Sequence, residues 1–237
     1  MKHGGGLSAI DDIKIIKECC AIIPAYNEGR HIGRVIRKIK EFGMDVLVVD
    51  DGSHDDTAQV AENCGALVIR GRSNKGKGNA LIRGFVEANK KKYKYFLTID
   101  GDGQHDPQEI IRFFDKMERS DFDMIIGNRM HLPKDMPEDR FFINRKSSEF
   151  ISKLCGQNIP DALCGYRLIK KNVLDNITLQ STGFEIVPEM LMKASGKGFK
   201  IGYVNIDAIY ADEISHIRPW RDGYRFFKLL IREWIKR

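Results

Sequence analysis

One stretch of the chain, residues 95–107, constrains the fold more than any other. Its first part, residues 95–99, is apolar and rich in aromatic and β-branched side chains, which predicts a short buried strand. Its last part predicts a helix start, with Asp106 as N-cap, Pro107 at the first helical position and Glu109 completing a capping box. The stretch therefore predicts a strand that ends in a loop and returns as a helix, the connection at which open α/β sheets bind ligands.

The loop between this strand and this helix carries two carboxylates, Asp100 and Asp102, each followed by a glycine. Carboxylate oxygens are ligands that hard divalent cations such as Mg²⁺ or Mn²⁺ prefer. Gly101 and Gly103 have no side chain that would block a bulky ligand from the same place. A bare Asp-x-Asp pair is common in polar turns whose aspartates only cap the backbone. With the surrounding strand, glycines and capped helix, both interpretations stay open, so the neighbouring loops have to separate them.

The pattern of strand, polar loop and helix repeats through the first two-thirds of the chain. Buried strands are predicted at about 19–23, 46–49, 66–69 and 124–126, and helices follow the first three. Strands that alternate with helices at this spacing predict a mostly parallel sheet covered on both faces. Beyond Arg129 we predict an exposed loop over 131–139, helices at about 140–155 and 185–194, and a strand region at 200–210 that adds an antiparallel edge.

Length and composition limit the remaining possibilities. The 237 residues suffice for one large domain, and no apolar run reaches the roughly 18 residues that span a bilayer. Five cysteines, an odd number without a close Cys-x-x-Cys pair, favour a reducing, cytosolic setting. The net charge of +6 lies largely in the tail and in lysine-rich loops without a recognised module, which argues against nucleic-acid binding. We divide the chain into a flexible leader (1–18), one α/β domain (19–218) and a C-terminal helix (219–237).

The C-terminal stretch, 219–237, has the periodicity of a helix with two different faces. The apolar face consists of Tyr224, Phe227, Leu230, Ile231 and Trp234, and the cationic face of Arg221, Arg225, Lys228, Arg232 and Lys236. This pattern is typical of a helix in a membrane interface, with Trp at headgroup depth and cations facing anionic lipid. The alternatives are a helix packed on the domain and a connection to a transmembrane segment beyond residue 237.

The polar loops at the ends of four successive strands together match one kind of ligand. Tyr26 can stack on or flank a nucleobase, and Asp50 or Asp51 can accept hydrogen bonds from a base N–H or a ribose hydroxyl. Lys75 and Lys77, in a glycine-rich loop, can reach phosphates, and a cation on the Asp-x-Asp pair can bridge a diphosphate. Each loop alone is also explained as a turn or a solvated loop. A nucleoside diphosphate with an attached group uses all four loops at once.

Three of these motifs point to a family. The segments 22–28 (Ile-Ile-Pro-Ala-Tyr-Asn-Glu), 48–57 and 100–107 resemble the family 2 glycosyltransferases of GT-A fold, most closely the dolichol-phosphate mannose synthase and polyprenyl-phosphate glycosyltransferase branch. Residues 161–167 and 209–219 resemble two further elements of that branch. The resemblance implies a GT-A (Rossmann-like) three-layer sandwich with a mostly parallel central sheet and a C-terminal amphipathic helix.

Together with the loop analysis, the resemblance implies roles for individual residues. The nucleotide-binding set is Pro24, Tyr26, Asn27, Glu28, Asp50, Asp51, Lys77, Asp100 and Gly101. The metal set, for Mg²⁺ or Mn²⁺, is Asp100, Asp102 and Gln104. The acceptor-phosphate set is Arg129, Arg140 and His216. The catalytic set is Asp100, Asp102, Arg129 and Asp161, where Asp161 is a general base only if the acceptor is a hydroxyl.

Two departures from the family's pattern bear on specificity. The family's Ser-Lys near the C-terminus is Ser215-His216 here, which replaces a phosphate-contacting lysine by a titratable histidine. Tyr210 stands where the mannose-synthase group usually carries arginine, so the donor is open between GDP-mannose and a UDP-sugar. We assign the other histidines of the loops, His31, His54 and His105, to surface or loop positions without a catalytic role.

The sequence thus predicts an inverting, metal-dependent glycosyltransferase that moves a sugar from a nucleotide-diphosphate sugar onto a polyprenyl (dolichyl-type) phosphate. We expect a cytoplasmic protein, peripheral at the inner (cytoplasmic) membrane face on an anionic surface, with a membrane-anchored partner or an oligomer as further possibilities. The alternatives are a family 2 enzyme with a soluble saccharide or protein hydroxyl acceptor, a nucleotidyltransferase on a related sheet, and an inactive nucleotide-sugar-binding scaffold subunit.

Overall fold

The apolar stretches of the sequence form the strands of one seven-stranded sheet. The computed structural model describes residues 14–132 and 136–207, together with 209, 225, 228, 229 and 232. The strands are β1 (Cys19–Ala25), β2 (Asp45–Asp50), β3 (Leu67–Arg70), β4 (Tyr95–Thr98), β5 (Met124–Asn128), β6 (Arg167–Lys170) and β7 (Ile201–Asn205). The α-helices within 14–132 and 136–207 are α1 (Ile32–Lys40), α2 (Thr57–Asn63), α3 (Lys77–Asn89), α4 (Ile110–Glu118), α5 (Glu138–Cys155), α6 (Lys171–Asn176) and α7 (Ile186–Gly196).

The order of the strands across the sheet is β3-β2-β1-β4-β6-β5-β7. β1 pairs in parallel with both β2 and β4, and β2 pairs in parallel with β3, which confirms the mostly parallel sheet. The antiparallel strand is β6, which lies between β4 and β5. β7 is an edge strand as predicted, but it runs parallel to β5, so the predicted antiparallel edge is wrong. Strand periodicity carries no information about direction, which depends on how the connections cross the sheet.

Alternate residues of the strands pack into two hydrophobic cores, one on each face of the sheet. In β1, Ile23 belongs to the core beneath α1, α2 and α4, and its neighbour Ile22 to the core beneath α3, α5, α6 and α7. Phe113 of α4 and Leu191 of α7 are fully buried on opposite faces. The result is the predicted three-layer sandwich.

Segments that the sequence analysis placed outside the domain or in an exposed loop contain buried residues. A 3₁₀ helix, Lys14–Glu18, carries the buried Ile16, so this part of the predicted leader packs on the domain. α5 begins inside the predicted loop 131–139, and Met136 just before it is buried. In the C-terminal stretch the four described residues are helical, and Leu229 is buried in the core beneath α3 and α7. Over the described residues, no helix combines the length and apolarity needed to cross a membrane.

The helix that follows the Asp-x-Asp loop starts as a 3₁₀ turn that leads directly into α4. Asp106 is the N-cap of a 3₁₀ turn, Pro107–Glu109, and its Oδ1 accepts a hydrogen bond from Gln108 N at 3.1 Å. Glu109 does not complete the predicted capping box, because its carboxylate lies 2.9 Å from Arg112 Nη1. The second contact of Asp106 is with Lys38 Nζ of α1 at 2.8 Å, which ties the turn to the neighbouring helix.

The crossing of α3 over the sheet yields a test of this packing. A Cβ on Gly84 would lie 2.5 Å from Ile22 Cγ2 and 3.2 Å from Val49 Cγ2. We expect Gly84→Val to lower the free energy of unfolding by about 1–3 kcal/mol, because a close-packed interface has no room for added atoms. Gly196→Ala is the control, since a Cβ there meets nothing within 4 Å, and should stay within about 0.5 kcal/mol of wild type. Urea unfolding curves that coincide for the two variants would contradict the described crossing.

Candidate active site

The carboxyl ends of β1, β2 and β4 meet at one edge of the sheet, because these strands are adjacent and parallel. Backbone hydrogen bonds continue the pairing into the loops. Asp51 N donates to Ala25 O at 2.8 Å, and Gly71 N donates to Asp50 O at 2.7 Å. The four loops that the sequence assigned to a nucleotide therefore lie side by side, around one crevice.

The loops after β1 and β2 are fastened to each other through Asn27. Asn27 has a φ of 58°, its N–H donates to Ser53 Oγ at 2.9 Å, and its Oδ1 accepts from His54 N at 2.9 Å. The Glu28 N–H donates to Thr57 Oγ1 at 2.7 Å. The ring of Tyr26 meets the ring of His54 edge-on at 6.3 Å between centroids. These contacts hold Tyr26, Asn27 and Glu28 in the crevice edge that the sequence predicted for the nucleotide.

The two neighbouring aspartates at the end of β2 have different surroundings. Asp50 Oδ1 accepts from Ser53 N at 3.0 Å and from the Ser53 hydroxyl, so Asp50 stabilises its own turn. Asp51 Oδ2 accepts from Lys75 N at 2.8 Å and from Gly76 N at 2.6 Å, across the crevice wall. The interpretation of this loop as a turn therefore holds for Asp50, whereas Asp51 holds the glycine-rich loop.

The second carboxylate oxygen of Asp51, Oδ1, is buried and has no hydrogen-bond partner among the described residues. Burial raises the pKa of the Asp51 carboxyl above its ordinary value, and the Gly76 and Lys75 amides partly oppose that shift. Buried acceptors without a partner are rare in folded proteins. The atom can be satisfied by an N–H of a bound ligand such as a nucleobase.

Asp100 forms an ion pair with Lys77 at the centre of the crevice. Lys77 Nζ lies 2.5 Å from Asp100 Oδ1, and the Asp100 side chain is about a quarter exposed. Burial by itself raises the pKa of Asp100, but Lys77, His105 and Arg129 outweigh it and bring the pKa below the ordinary value. A Cβ on Gly165 would lie 2.7 Å from Asp100 Oδ2 and 2.9 Å from Lys77 Nζ, so a side chain at this position would push the ion pair aside.

The donor set of this loop fits a hard divalent cation that is shared with another ligand. Asp100 and Asp102 supply carboxylate oxygens, and Asp102 Oδ1 accepts from Gln104 N at 3.0 Å. Across the described ranges, no group of three or more His, Cys, Asp or Glu residues could hold a metal ion. Mg²⁺ keeps several waters and commonly binds through one or two carboxylates plus substrate phosphates. The pair therefore matches a cation completed by a diphosphate, rather than a closed protein cage.

Arg129 and Asp161 meet in a two-pronged ion pair. Arg129 Nε and Nη2 donate to the two oxygens of Asp161 at 2.7 and 2.9 Å, and Arg129 N donates at 3.2 Å. Asp161 is fully buried, yet Arg129 outweighs the burial and lowers the pKa of its carboxyl. A buried carboxylate with a lowered pKa is a weak proton acceptor, so this geometry favours orienting Arg129 over general-base catalysis.

The remaining predicted residues are placed as follows. Pro24 lies in β1 and Gly101 is buried at the Asp-x-Asp loop. Arg140 lies in the first turn of α5 and is partly exposed. Gln104 O accepts from Ile209 N at 2.9 Å, which places Ile209 beside the metal loop. His216 and Tyr210 lie outside the described residues.

His105, in the loop that follows β4, is buried. Its ring lies 5.4 Å from the ring of Tyr166, and its Nδ1 has no hydrogen-bond partner in the described chain. Burial, reinforced by the positive charge of Arg129, lowers the pKa of His105 to about 4. His105 thus lies in a loop, as predicted, but not at the surface, and an isolated histidine in a loop carries no periodic signal of burial.

Sequence reasoning also missed the loop 180–184, which forms part of the crevice wall. Thr182 O accepts a hydrogen bond from Asn79 N at 3.1 Å, and Lys77 Nζ lies 5.6 Å from the centroid of the Phe184 ring. Gly76 has a φ of 98°, and a Cβ at Gly76 would collide with Thr182 O. The glycines on both sides of Lys77 were the one indication in the sequence, since they suggest that another backbone segment comes close. They do not indicate which segment it is.

The Arg129–Asp161 pair can be tested by neutralising the buried carboxylate. We expect Asp161→Asn to lower the free energy of unfolding by about 3 kcal/mol at pH 7, because it breaks a buried pair. The control is Asp115→Asn, which breaks the exposed pair of Asp115 with Arg119 and should cost at most about 1 kcal/mol. Urea unfolding of both variants is the measurement, and equal losses would contradict the assignment.

The same variant has an expected pH dependence. The pKa of Asp161 is lowered in the folded state, so its stabilisation is present above the ordinary Asp value of about 3.9 and is lost as pH falls through the folded value. The stability difference between wild type and Asp161→Asn should therefore shrink in that acidic range. A difference that grows on acidification would contradict the sign of the shift.

Comparisons with known proteins bear on the same loops. The family model for glycosyl transferase family 2 matches residues 20–178. The chain is 33% identical over 221 residues to glycosyltransferase AglJ of Haloferax volcanii, with 90% of this chain and 71% of the relative covered. It is 28% identical over 214 residues to a UDP-N-acetylglucosamine–dolichyl-phosphate N-acetylglucosaminyltransferase of Methanococcus voltae, with 81% and 85% covered.

Among solved structures, the fold is shared with glucosyl-3-phosphoglycerate synthase of Mycobacterium tuberculosis in complex with Mn²⁺, UDP and glucosyl-3-phosphoglycerate. The TM-score is 0.74 at 19% sequence identity, with 98% of this chain and 86% of that chain covered. The likeness confirms the predicted GT-A sandwich. The family model begins in β1 and ends just after α6, so it includes the crevice loops from Tyr26 to Asp161. The chain belongs to the family 2 glycosyltransferases.

Proposed function

We propose that this glycosyltransferase moves a sugar from a nucleoside-diphosphate sugar onto a polyprenyl phosphate, by inverting single displacement and with Mg²⁺ or Mn²⁺. The observation that carries the proposal is the convergence of three kinds of group on one crevice. These are the unpartnered buried oxygen of Asp51, the ammonium of Lys77 and the carboxylates of Asp100 and Asp102. They match, in that order, a base, a phosphate and a phosphate-bound cation.

On the donor side, each group has a defined task. Asp51 Oδ1 accepts a hydrogen bond from the base, and its other oxygen holds the loop that presents Lys77. Lys77 offers a positive charge to the diphosphate. Asp100, Asp102 and Gln104 would hold the cation, which offsets the charge that builds on the nucleoside diphosphate as it leaves. The Mn²⁺ and UDP held by the mycobacterial synthase of the same fold support this assignment.

On the acceptor side, Arg129 is the residue that meets the incoming phosphate. Asp161 holds the guanidinium in one orientation through two hydrogen bonds. A planar, oriented guanidinium suits an anionic phosphate, and a phosphate is already deprotonated at neutral pH. No general base is then required, which agrees with the low proton affinity of Asp161. The dolichyl phosphate in the name of the Methanococcus voltae relative supports this acceptor class.

A lipid-linked acceptor requires access to a membrane, and α5 has a surface suited to it. Phe142, Ile143 and Phe150 are exposed on this helix, the first by 62%. Arg145 and Lys146 lie beside them and are also exposed. Apolar side chains flanked by cations are the pattern of an interfacial helix on anionic lipid. We therefore propose peripheral association with the cytoplasmic membrane face through α5.

The prediction that the C-terminal helix lies in the membrane interface is revised. Arg232 was assigned to a lipid-facing row of cations, but its Nη2 donates to Glu189 Oε1 of α7 at 2.8 Å. Leu229 is buried, whereas Lys228 is exposed. The described part of this helix thus supports the alternative in which it packs on the domain.

The donor site is tested by a thermal-shift panel of GDP-, UDP- and dTDP-sugars with and without Mn²⁺. A nucleotide at 100 times its dissociation constant should raise the melting temperature by about 5–10 °C, only in the presence of Mn²⁺. Asp102→Ala should remove the metal-dependent part of the shift and the donor turnover. Asp115→Ala, an exposed aspartate of α4, is the control. Full Mn²⁺ dependence in Asp102→Ala would refute the metal assignment, and no shift with any nucleotide would favour the inactive scaffold.

The membrane contact is tested by the double variant Phe142→Ser/Ile143→Ser. Binding to vesicles of phosphatidylcholine and phosphatidylglycerol should weaken about tenfold, because two side chains that would be buried in lipid become polar. Val86→Ser is the matched control, since Val86 is 60% exposed on α3. Co-sedimentation is the measurement. Unchanged binding of the double variant would show that α5 is not the contact.

A further inference from the structure

Glu189 of α7 is a buried charge that connects two separate parts of the molecule. Its side chain is fully buried, and its oxygens accept hydrogen bonds from Gln180 N at 3.1 Å and from Ser181 N at 2.8 Å. They also pair with Lys193 Nζ at 2.7 Å and Arg232 Nη2 at 2.8 Å. A carboxylate offers about four acceptor positions, so these contacts use its full capacity. The mechanism proposed above gives Glu189 no role.

On one side, Glu189 holds the loop 180–184, which packs against the loop that carries Lys77. The contact is direct and backbone-to-backbone, since Asn79 N donates to Thr182 O at 3.1 Å. A Cβ on Gly76 or on Gly78 would collide with this loop. The position of 180–184 therefore sets the position of the glycine-rich loop at the start of α3.

On the other side, Glu189 contacts Arg232 of the C-terminal segment, a name used here for the four described residues Arg225, Lys228, Leu229 and Arg232. Arg225, Leu229 and Arg232 are spaced by four and three residues, so they lie on one side of the segment. Leu229 is buried in the core, and Arg225 Nη1 would be 2.7 Å from a Cβ on Gly183. The segment is thus docked next to the same loop that Glu189 binds.

We propose that Glu189 is a positioning residue that couples docking of the C-terminal segment to nucleotide binding. The contacts run from Arg232 through Glu189 and the loop 180–184 to the loop that presents Lys77. When the segment is docked, the crevice wall is held in its binding geometry, and when Arg232 is lost the wall loosens. The identity of the ligand rests on the proposed function, whereas the coupling between segment and loop does not.

The test compares Arg232→Met with two matched variants. Arg232→Lys keeps a cation for Glu189, and Lys228→Met removes an exposed positive charge from the same segment. Lys193 still pairs with Glu189 in Arg232→Met, so the buried carboxylate keeps a cation and the domain should fold. Urea unfolding checks that each variant is fully folded under the conditions in which hydrogen exchange and affinity are compared.

Two measurements in lipid-free solution follow the coupling. Amide hydrogen exchange at Asn79 and Ser181, without nucleotide, should be about tenfold faster in Arg232→Met, because the loop opens more often. The dissociation constant for UDP or GDP with Mn²⁺, measured by calorimetry, should rise roughly fivefold. Arg232→Lys should lie close to wild type in both measurements, and Lys228→Met should equal wild type.

Each outcome decides the proposal. Unchanged exchange at Asn79 in Arg232→Met would overturn the coupling, and so would faster exchange with an unchanged dissociation constant. An equal effect in Lys228→Met would also overturn it, because loss of any nearby charge would then suffice. If wild type binds neither UDP nor GDP with Mn²⁺, the proposed function fails, and the exchange result alone decides whether the segment and the loop are coupled.

Discussion

The parallel pairing of β1 with both β2 and β4 is the constraint on which the candidate site depends. Parallel neighbours bring their carboxyl ends to the same edge, so the loops after three strands are forced together although they are far apart in the chain. The pairing register places Ala25 beside Asp50, and backbone hydrogen bonds extend it to Asp51. Tyr26 and Asn27 thus reach the edge that Asp51 also reaches.

Charge pairing inside a low-dielectric environment then shapes the crevice. Asp100 is paired with Lys77, Asp161 with Arg129, and Glu189 with Lys193 and Arg232. Arg167 is also buried, but it has no carboxylate ion pair among the described residues. It donates instead to the backbone oxygens of Ala162, Cys164 and Val187 at 3.0, 2.9 and 2.6 Å, and burial lowers its pKa to about 10. A buried charge is tolerated only with such partners, so each pair also fixes the segment that carries it.

Several features of the site could be predicted from local sequence. The Asp-x-Asp loop, the N-cap at Asp106 and the alternation of strands and helices each depend on residues close together in the chain, and the structure contains all three. The partners of the buried charges could not be predicted. Arg129 and Asp161 are 32 residues apart in the chain, and Arg232 and Glu189 are 43 apart. Pairs at such separations produce no periodic pattern in the sequence. The same reason explains why the burial of His105 could not be predicted.

By itself, the sequence determined the strand–loop–helix order, the two-sided cores and the chemical character of the crevice loops, because these depend on hydrophobic period and turn chemistry over a few residues. Only the tertiary structure decided that Asp50 accepts hydrogen bonds within its own turn, while Asp51 Oδ1 is buried without a partner among the described residues. It also decided that β6 is the antiparallel strand and that Arg232 packs on Glu189. These outcomes depend on which distant groups come into contact as the sheet closes. The physical reason is that a buried polar side chain must pair with a group that lies next to it, and which groups are neighbours depends on the whole tertiary structure.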